Sequence, residues 1–298
     1  VQFNEGAELD TSQVSDQRGS GGRVAGVGGG LGVVGLIVYF LIQQFTGIQL
    51  PAGGLEGLGN NTQVESGTLL EKCKTGADAN RDSDCRVLAT INSIQGFWTD
   101  QFKRSGNTYQ VTKTNFFRGS VNTRCGNATS AVGPFYCPAD SQVYIDLDFF
   151  NELRTKFGAT GGPFVEAYVL AHEYGHHVQN QLGTSDRVGR ETGPTSGSVR
   201  LELQADCYAG SWANHATTVP GANGQPLISN ITQEDVNAAL DAAARIGDDF
   251  IQSNLGGGRV DTTQFSHGSS AQRQKWFTTG LETGDPARCN TFDTNNLG

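Results

Sequence analysis

The alternation of apolar and polar positions divides the chain into a short polar start, one long uncharged run and a large patterned remainder. Val24–Ile42 (VAGVGGGLGVVGLIVYFLI) contains nineteen residues without a charge. A membrane-spanning helix needs roughly 17–25 such residues, and glycine is common in such helices. Residues 1–23 read as a polar stub, residues 24–45 as a transmembrane helix, and residues 46–68, rich in Gly, Asn and Thr, as a linker.

Residues 69–298 carry the pattern of a folded domain. Val87, Ile91, Ile94 and Trp98 recur at three- and four-residue steps and predict an amphipathic helix over 84–103. Thr108–Val121 and Gln142–Phe149 read as strands. In the second, Val143, Ile145, Leu147 and Phe149 alternate with Tyr144, Asp146 and Asp148. That strand is also a candidate sheet edge, open to an extended peptide. Helices are predicted over 163–182, 197–215, 233–246 and 269–282. The last two open with capping boxes, Thr232 with Asp235 and Ser269 with Gln272. A helix, then strands, then helices favours an α+β fold, mainly helical with a small antiparallel sheet, preceded by one transmembrane helix.

Charge and cysteine content narrow the classes. The 298 residues include 21 Lys and Arg against 30 Asp and Glu, a formal net charge of −9. Nucleic acid is therefore not an expected partner, because its binders carry a basic footprint. Arg18 and Arg23 precede the apolar run, and the next basic residue is Lys72. The positive-inside tendency then places the amino terminus in the cytoplasm and the large domain outside it, at the cell membrane. Six cysteines, an even number, suit an oxidising compartment. By spacing, Cys73 pairs with Cys85 and Cys125 with Cys137, leaving Cys207 for Cys289. None forms a CxxC pair, so a thiolate zinc site is not expected.

The chemistry is concentrated in Ala171-His172-Glu173-Tyr174-Gly175-His176-His177, which contains HExxH. On a helix, His172 and His176 share a face and can bind one metal ion. Glu173 is then placed to act on a metal-bound water as general base. His177 lies about 100° further round the helix and belongs to the surroundings. A catalytic zinc takes a third protein ligand. The positions where a metzincin carries Gly and His hold Gln179 and Leu182, so that branch is excluded. Glu202 in the ExxAD segment Glu202–Asp206 is the expected third ligand. Asp206, one turn on, would accept the free N–H of a ligand histidine. His215 and His267 are rival ligands, although His215 is thirteen residues beyond Glu202, nearly 20 Å along a helix. His267, in HGSS before a helix start, is either a transition-state hydrogen-bond donor or the organiser of its turn, and the second reading is favoured.

With these residues in view, the chain resembles the bacterial neutral zinc metallopeptidases of the YpfJ-like family. The resemblance rests on LDTSQVSDQRG at 9–19, FYCPADSQVYIDLDFF at 135–150, AHEYGHHVQN at 171–180, RLELQADCYAGSWA at 200–213 and HGSSAQRQKWFTTGL at 267–281. It implies a zincin-like, membrane-anchored peptidase acting on a peptide or protein substrate. Zn2+ would be held by His172, His176 and Glu202, with Glu173 as the catalytic residue. The rival class is a non-catalytic zinc-containing protein of the cell envelope. Against it, a structural site normally fills all four positions with protein ligands and has no use for a general base.

Overall fold

A computed structural model of the chain describes residues 1–18, 68–189 and 191–298. The run Val24–Ile42 and the 46–68 linker, apart from residue 68, lie outside the described residues. Among the described residues no helix is long and apolar enough to cross a membrane. The elements begin with strands β1 (Gln2–Phe3) and β2 (Val14–Asp16), followed by helices α1 (Thr68–Lys72), α2 (Gly76–Ala79) and α3 (Ser83–Arg104). Strands β3 (Thr114–Phe117), β4 (Ser120–Thr123), β5 (Gly126–Thr129), β6 (Phe135–Cys137) and β7 (Gln142–Asp146) come next. Helices α4 (Phe149–Thr155), α5 (Pro163–Gln181) and α6 (Gly197–His215), strand β8 (Ile228–Asn230), and helices α7 (Gln233–Arg245), α8 (Asp248–Asn254) and α9 (Ser270–Thr283) complete the chain.

The α+β class and the long helices follow the sequence pattern, but the main sheet is mixed rather than antiparallel. Its order is β2-β3-β7-β6. β2 pairs parallel with β3, β3 parallel with β7, and β7 antiparallel with β6. The hairpin β4–β5 and strand β6 intervene between β3 and β7 in the chain, a connection long enough to return the chain in the same direction. The predicted strand Thr108–Val121 is shorter than expected and breaks at Gly119, whose φ of 75° turns the chain into the hairpin. β7 likewise ends at Asp146, and Phe149 opens α4.

The alternation in β7 sorts its residues between two cores. Val143 and Ile145 join the main one, while Tyr144 packs with Phe117, Val121, Val132 and Phe135 in a smaller one. β7 is therefore an interior strand, and the edge beside α5 is β6. The Val143 N–H donates to the Lys113 carbonyl at 3.1 Å, toward β3. Tyr136, paired opposite Val143, thus directs its own N–H and C=O away from β7.

Three helices form the frame of the domain. Gly175 on α5 lies against Ala205 on α6, where an added Cβ would sit 3.0 Å from the Ala205 Cα. α6 and α9 approach more closely still. A Cβ at Gly210 would strike the Phe277 carbonyl, and one at Gly280 the Cys207 carbonyl. This reciprocal pair brings the two backbones into contact. Tyr174 bonds Thr114 on β3 at 2.8 Å, joining α5 to the sheet. All three cysteine pairs expected from spacing are disulfides, Cys73–Cys85, Cys125–Cys137 and Cys207–Cys289.

One domain boundary needs correction. Residues 1–18 are not a separate stub, because they pack on the domain formed by residues 68–298. β1 pairs with β8 and β2 completes one edge of the main sheet. Phe3 and Ala7 are buried. Arg18, counted above as a topological charge, instead bonds Asp16 at 2.6 Å and Asp84 at 2.8 Å.

Candidate metal centre

Both helices that supply the centre begin where the local sequence sets them. Gly162 precedes Pro163, which starts α5 at the position that needs no N–H donor. The Ser196 hydroxyl caps α6 by accepting from the Val199 N–H at 3.3 Å. His172, Glu173 and His176 then project from the middle of α5, and Glu202 and Asp206 from the middle of α6. All five are buried.

His172 Nε2 lies 3.1 Å from His176 Nε2 and 3.2 Å from Glu202 Oε2, and His176 Nε2 lies 3.4 Å from Glu202 Oε1. Tetrahedral zinc with bonds of about 2.0–2.1 Å separates its ligand atoms by about 3.3 Å. The two imidazole nitrogens and the Glu202 carboxylate, which turns Oε2 to His172 and Oε1 to His176, are thus spaced close to the ligands of such a site, and together the three residues could hold a metal ion. Two imidazoles and a carboxylate are also the donor types of catalytic zinc.

The outer nitrogen of each ring is fixed. His172 Nδ1 meets Asp206 Oδ1 at 2.8 Å, as expected from the sequence. His176 Nδ1 meets Gln179 Oε1 at 2.8 Å. Gln179 in turn donates to the Leu201 carbonyl at 2.7 Å and to Gln204 at 3.1 Å. With Nδ1–H donated outward, each Nε2 keeps its lone pair for a metal. The sequence marks Gln179 only as excluding the metzincin pattern, although its spacing of three residues from His176 on one helix is a usable signal for this orienting role.

Arg273 was also missed. It enters from the first turn of α9 and is 2% exposed. Its Nη2 donates to Asp206 Oδ1 at 3.0 Å, and its Nη1 is 3.9 Å from Glu202 Oε2. Nε also lies 3.0 Å from Asp206 Oδ2, but this approach is an ion pair without the alignment of a hydrogen bond. Tyr168 donates to the same Asp206 Oδ1 at 2.7 Å.

Charge is balanced among these groups. Burial opposes ionisation of Asp206, but Arg273 and His172 hold its carboxyl below the usual range. Burial likewise opposes ionisation of Glu202, and His176 and His172 hold it well below that range. Burial disfavours a charged His172, yet Asp206 and Glu202 raise it to about 10. Glu173 is different. Burial raises its pKa, and its Oε2 has no hydrogen-bond partner.

The remaining histidines separate clearly. His215 bonds the Gly284 carbonyl at 3.0 Å and stacks on Phe97, so it is no metal ligand. His177 is buried between the Gln110 carbonyl at 2.7 Å and the Tyr136 hydroxyl at 3.1 Å. Burial lowers its pKa, and it ties α5 to β6. His267 is outside the three-ligand group. Its Nδ1 lies 3.0 Å from Asp248 Oδ1. Asp248 Oδ2 accepts the N–H groups of Ser266, His267 and Gly268 at 2.7–3.0 Å, so the Asp–His pair does organise the turn. Asp248 gave no sequence signal, being eighteen residues before Ser266. A separate cavity of about 380 Å³ lies near the amino ends of α3 and α5 and includes Arg86, Arg154 and Glu166, with none of the three ligand residues in its lining.

Comparison with known proteins agrees with this geometry. The profile of the family described as "Putative neutral zinc metallopeptidase" matches residues 5–292. The chain is 49% identical over 252 residues to the uncharacterized Mycobacterium tuberculosis H37Rv protein Rv2575, covering 83% of this chain and 84% of that one. The Mycobacterium bovis protein Mb2605 matches to the same extent. Escherichia coli K12 YpfJ, also uncharacterized, is 38% identical over 295 residues, covering 95% of this chain and 96% of YpfJ. No solved structure matches the chain. With nearly its whole length matched, and with histidine and glutamate donors converging as a zinc site requires, the chain belongs to the neutral zinc metallopeptidase family.

Proposed function

We propose that the chain is a zinc-dependent endopeptidase that hydrolyses peptide bonds in an oxidising, extracytoplasmic compartment. The observation that carries this reading is the unpartnered Glu173 carboxylate oxygen beside three converging metal ligands. A fully bonded structural site would leave no such group. His172, His176 and Glu202 would hold the zinc. When bound, zinc supplies a Lewis acid that activates water and polarises the scissile carbonyl.

The chain's own groups divide the remaining work. Glu173 takes the proton of the attacking water and passes it to the leaving amine. Asp206 and Gln179 keep both imidazoles in the ligating tautomer. His267, with Nδ1 held by Asp248, organises the turn that leads into α9. Burial opposes a charged His267, but Asp248 and, to a smaller extent, Glu202 raise its pKa. An extended substrate, if it pairs with this sheet, would meet the edge strand β6 rather than the interior strand β7. Three disulfides support the oxidising compartment, and the uncharged run Val24–Ile42 supports an attachment to the cell membrane that leaves both its flanks on one side.

The test is Glu173→Gln, compared with wild type on one peptide library, both zinc-loaded. Zinc content stays at one per chain while cleavage falls about 10²–10⁴-fold. Equal cleavage would remove Glu173 from the chemistry. Zinc binding without cleavage by either protein would favour the non-catalytic envelope reading.

A further inference from the structure

We infer that Arg273 is a positioning residue for the metal ligands and acts through Asp206. This inference rests on the metallopeptidase reading. The capping box at Ser269 and Gln272 fixes the turn of α9 that carries Arg273. From there one guanidinium reaches Asp206 through Nη2 at 3.0 Å, the Tyr168 hydroxyl at 3.4 Å and, through Nη1, Glu202 at 3.9 Å. Asp206 holds His172, and Glu202 is itself a ligand candidate. Asp206 takes the shortest of these contacts, and Glu202 lies beyond hydrogen-bond distance, so the cation acts on the ligands through Asp206, while His176 is oriented separately by Gln179. Lysine could not reproduce this, since its ammonium is a point charge without a planar fork.

The experiment is a cycle of Arg273→Gln, Asp206→Asn and the double variant, with zinc affinity measured by competition against a chromophoric chelator. Loss of such outer support typically costs 10–100-fold in metal affinity. Arg273→Gln loses that much, Arg273→Lys recovers only part of it, and the double variant binds no more weakly than Asp206→Asn alone. Independent, multiplying losses would overturn the inference, as would wild-type affinity in Arg273→Gln. If Arg273→Gln does not fold, the double variant carries no uncompensated buried charge there, and its equality with Asp206→Asn still decides. Absence of zinc binding by wild type would instead defeat the metallopeptidase reading.

A different set of contacts carries a second inference: we propose that residues 1–18 and the 68–298 domain occupy the same compartment. This stands whether or not the domain cleaves peptides. Phe3 exchanges backbone bonds with the Asn80 side chain at 2.9 Å each. The Leu9 N–H donates to Lys74, and the Gly76 N–H to Ala7. A Cβ at Gly76 would strike the Asn4 carbonyl, so the two segments touch backbone to backbone. Asp10 exchanges bonds with Asn92 at 2.8 and 3.0 Å. β2 is in register with β3 from Val14–Thr114 to Asp16–Phe116. A single crossing would separate the flanks of the uncharged run by about 30 Å of hydrocarbon, yet Arg18 lies 2.8 Å from Asp84.

Glu5→Cys and Lys103→Cys, both at exposed positions, test this in the full chain in intact cells with a membrane-impermeant maleimide. Both sites label before lysis. Labelling of both only after lysis would keep the shared compartment and overturn the extracytoplasmic location. Labelling of one before lysis and the other only after it would overturn the inference.

Discussion

Asp206 and Asp10 show how differently the metal centre and the amino-terminal edge are held. Asp206 is fully buried and takes bonds from Tyr168, His172 and Arg273. Asp10 is exposed, and its carboxylate caps its own turn through the Ser12 N–H, while only its backbone reaches Asn92. At the centre, side chains from α5, α6 and α9 specify one another. At the edge, backbone pairing and half-exposed polar groups do most of the joining. The centre is therefore a cooperative unit in which removing one partner strands another, whereas the edge can loosen by degrees.

The largest separation between the regions is expected in metal content. His172→Ala or Glu202→Ala abolishes zinc binding, and Arg18→Ala retains it in full, as elemental analysis after dialysis will read. Zinc retention in Glu202→Ala would move the third ligand elsewhere, with His267 next. The next effect is covalent. Removing Cys207–Cys289, with a sequence separation of 82, costs about 4.5 kcal/mol in the chain-entropy model, and removing Cys73–Cys85, with a separation of 12, costs about 3 kcal/mol. Denaturant unfolding of the paired serine variants checks the order. Gln179→Leu comes third, weakening zinc binding about 10–100-fold through a freed His176 ring, while a chelator titration of the amino-edge variant Arg18→Ala shows no change.

Acid gives the smallest effect. Burial opposes ionisation of Asp16, but Arg18 lowers its pKa below the model-peptide value. A depressed folded pKa contributes stability above the unfolded value of about 3.9, and that stability is lost as pH falls through the lower folded value. Hydrogen exchange should therefore show β2 amides losing protection below about pH 4 before those of α5 do. Simultaneous loss would remove the contrast between the regions.

Sequence reading was strongest where one helix carried its own pattern. His172, Glu173 and His176 share α5, and Asp206 follows Glu202 by one turn, so helical geometry alone brought each set to one face. The helix 197–215 was read with its observed bounds. Arg273 and Asp248 escaped because their partners lie on other elements and no local period marks them. Both amino-terminal strands escaped for a related reason. Gln2–Phe3 and Val14–Asp16 are too short to show alternation, and their partners are more than ninety residues away. The antiparallel expectation failed for the main sheet because strand direction is fixed by connections, which the strand pattern does not record.

The pairing of β1 with β8 also sets a timetable. Residues 2–3 emerge from the ribosome long before their partners at 228–230. At roughly 5–20 residues per second, that interval is on the order of 10–45 s. The β1–β8 pair cannot close until residues 228–230 have been made. β2, by contrast, waits only for β3, about a hundred residues later, and until then shows an unpaired strand edge of the kind that invites association.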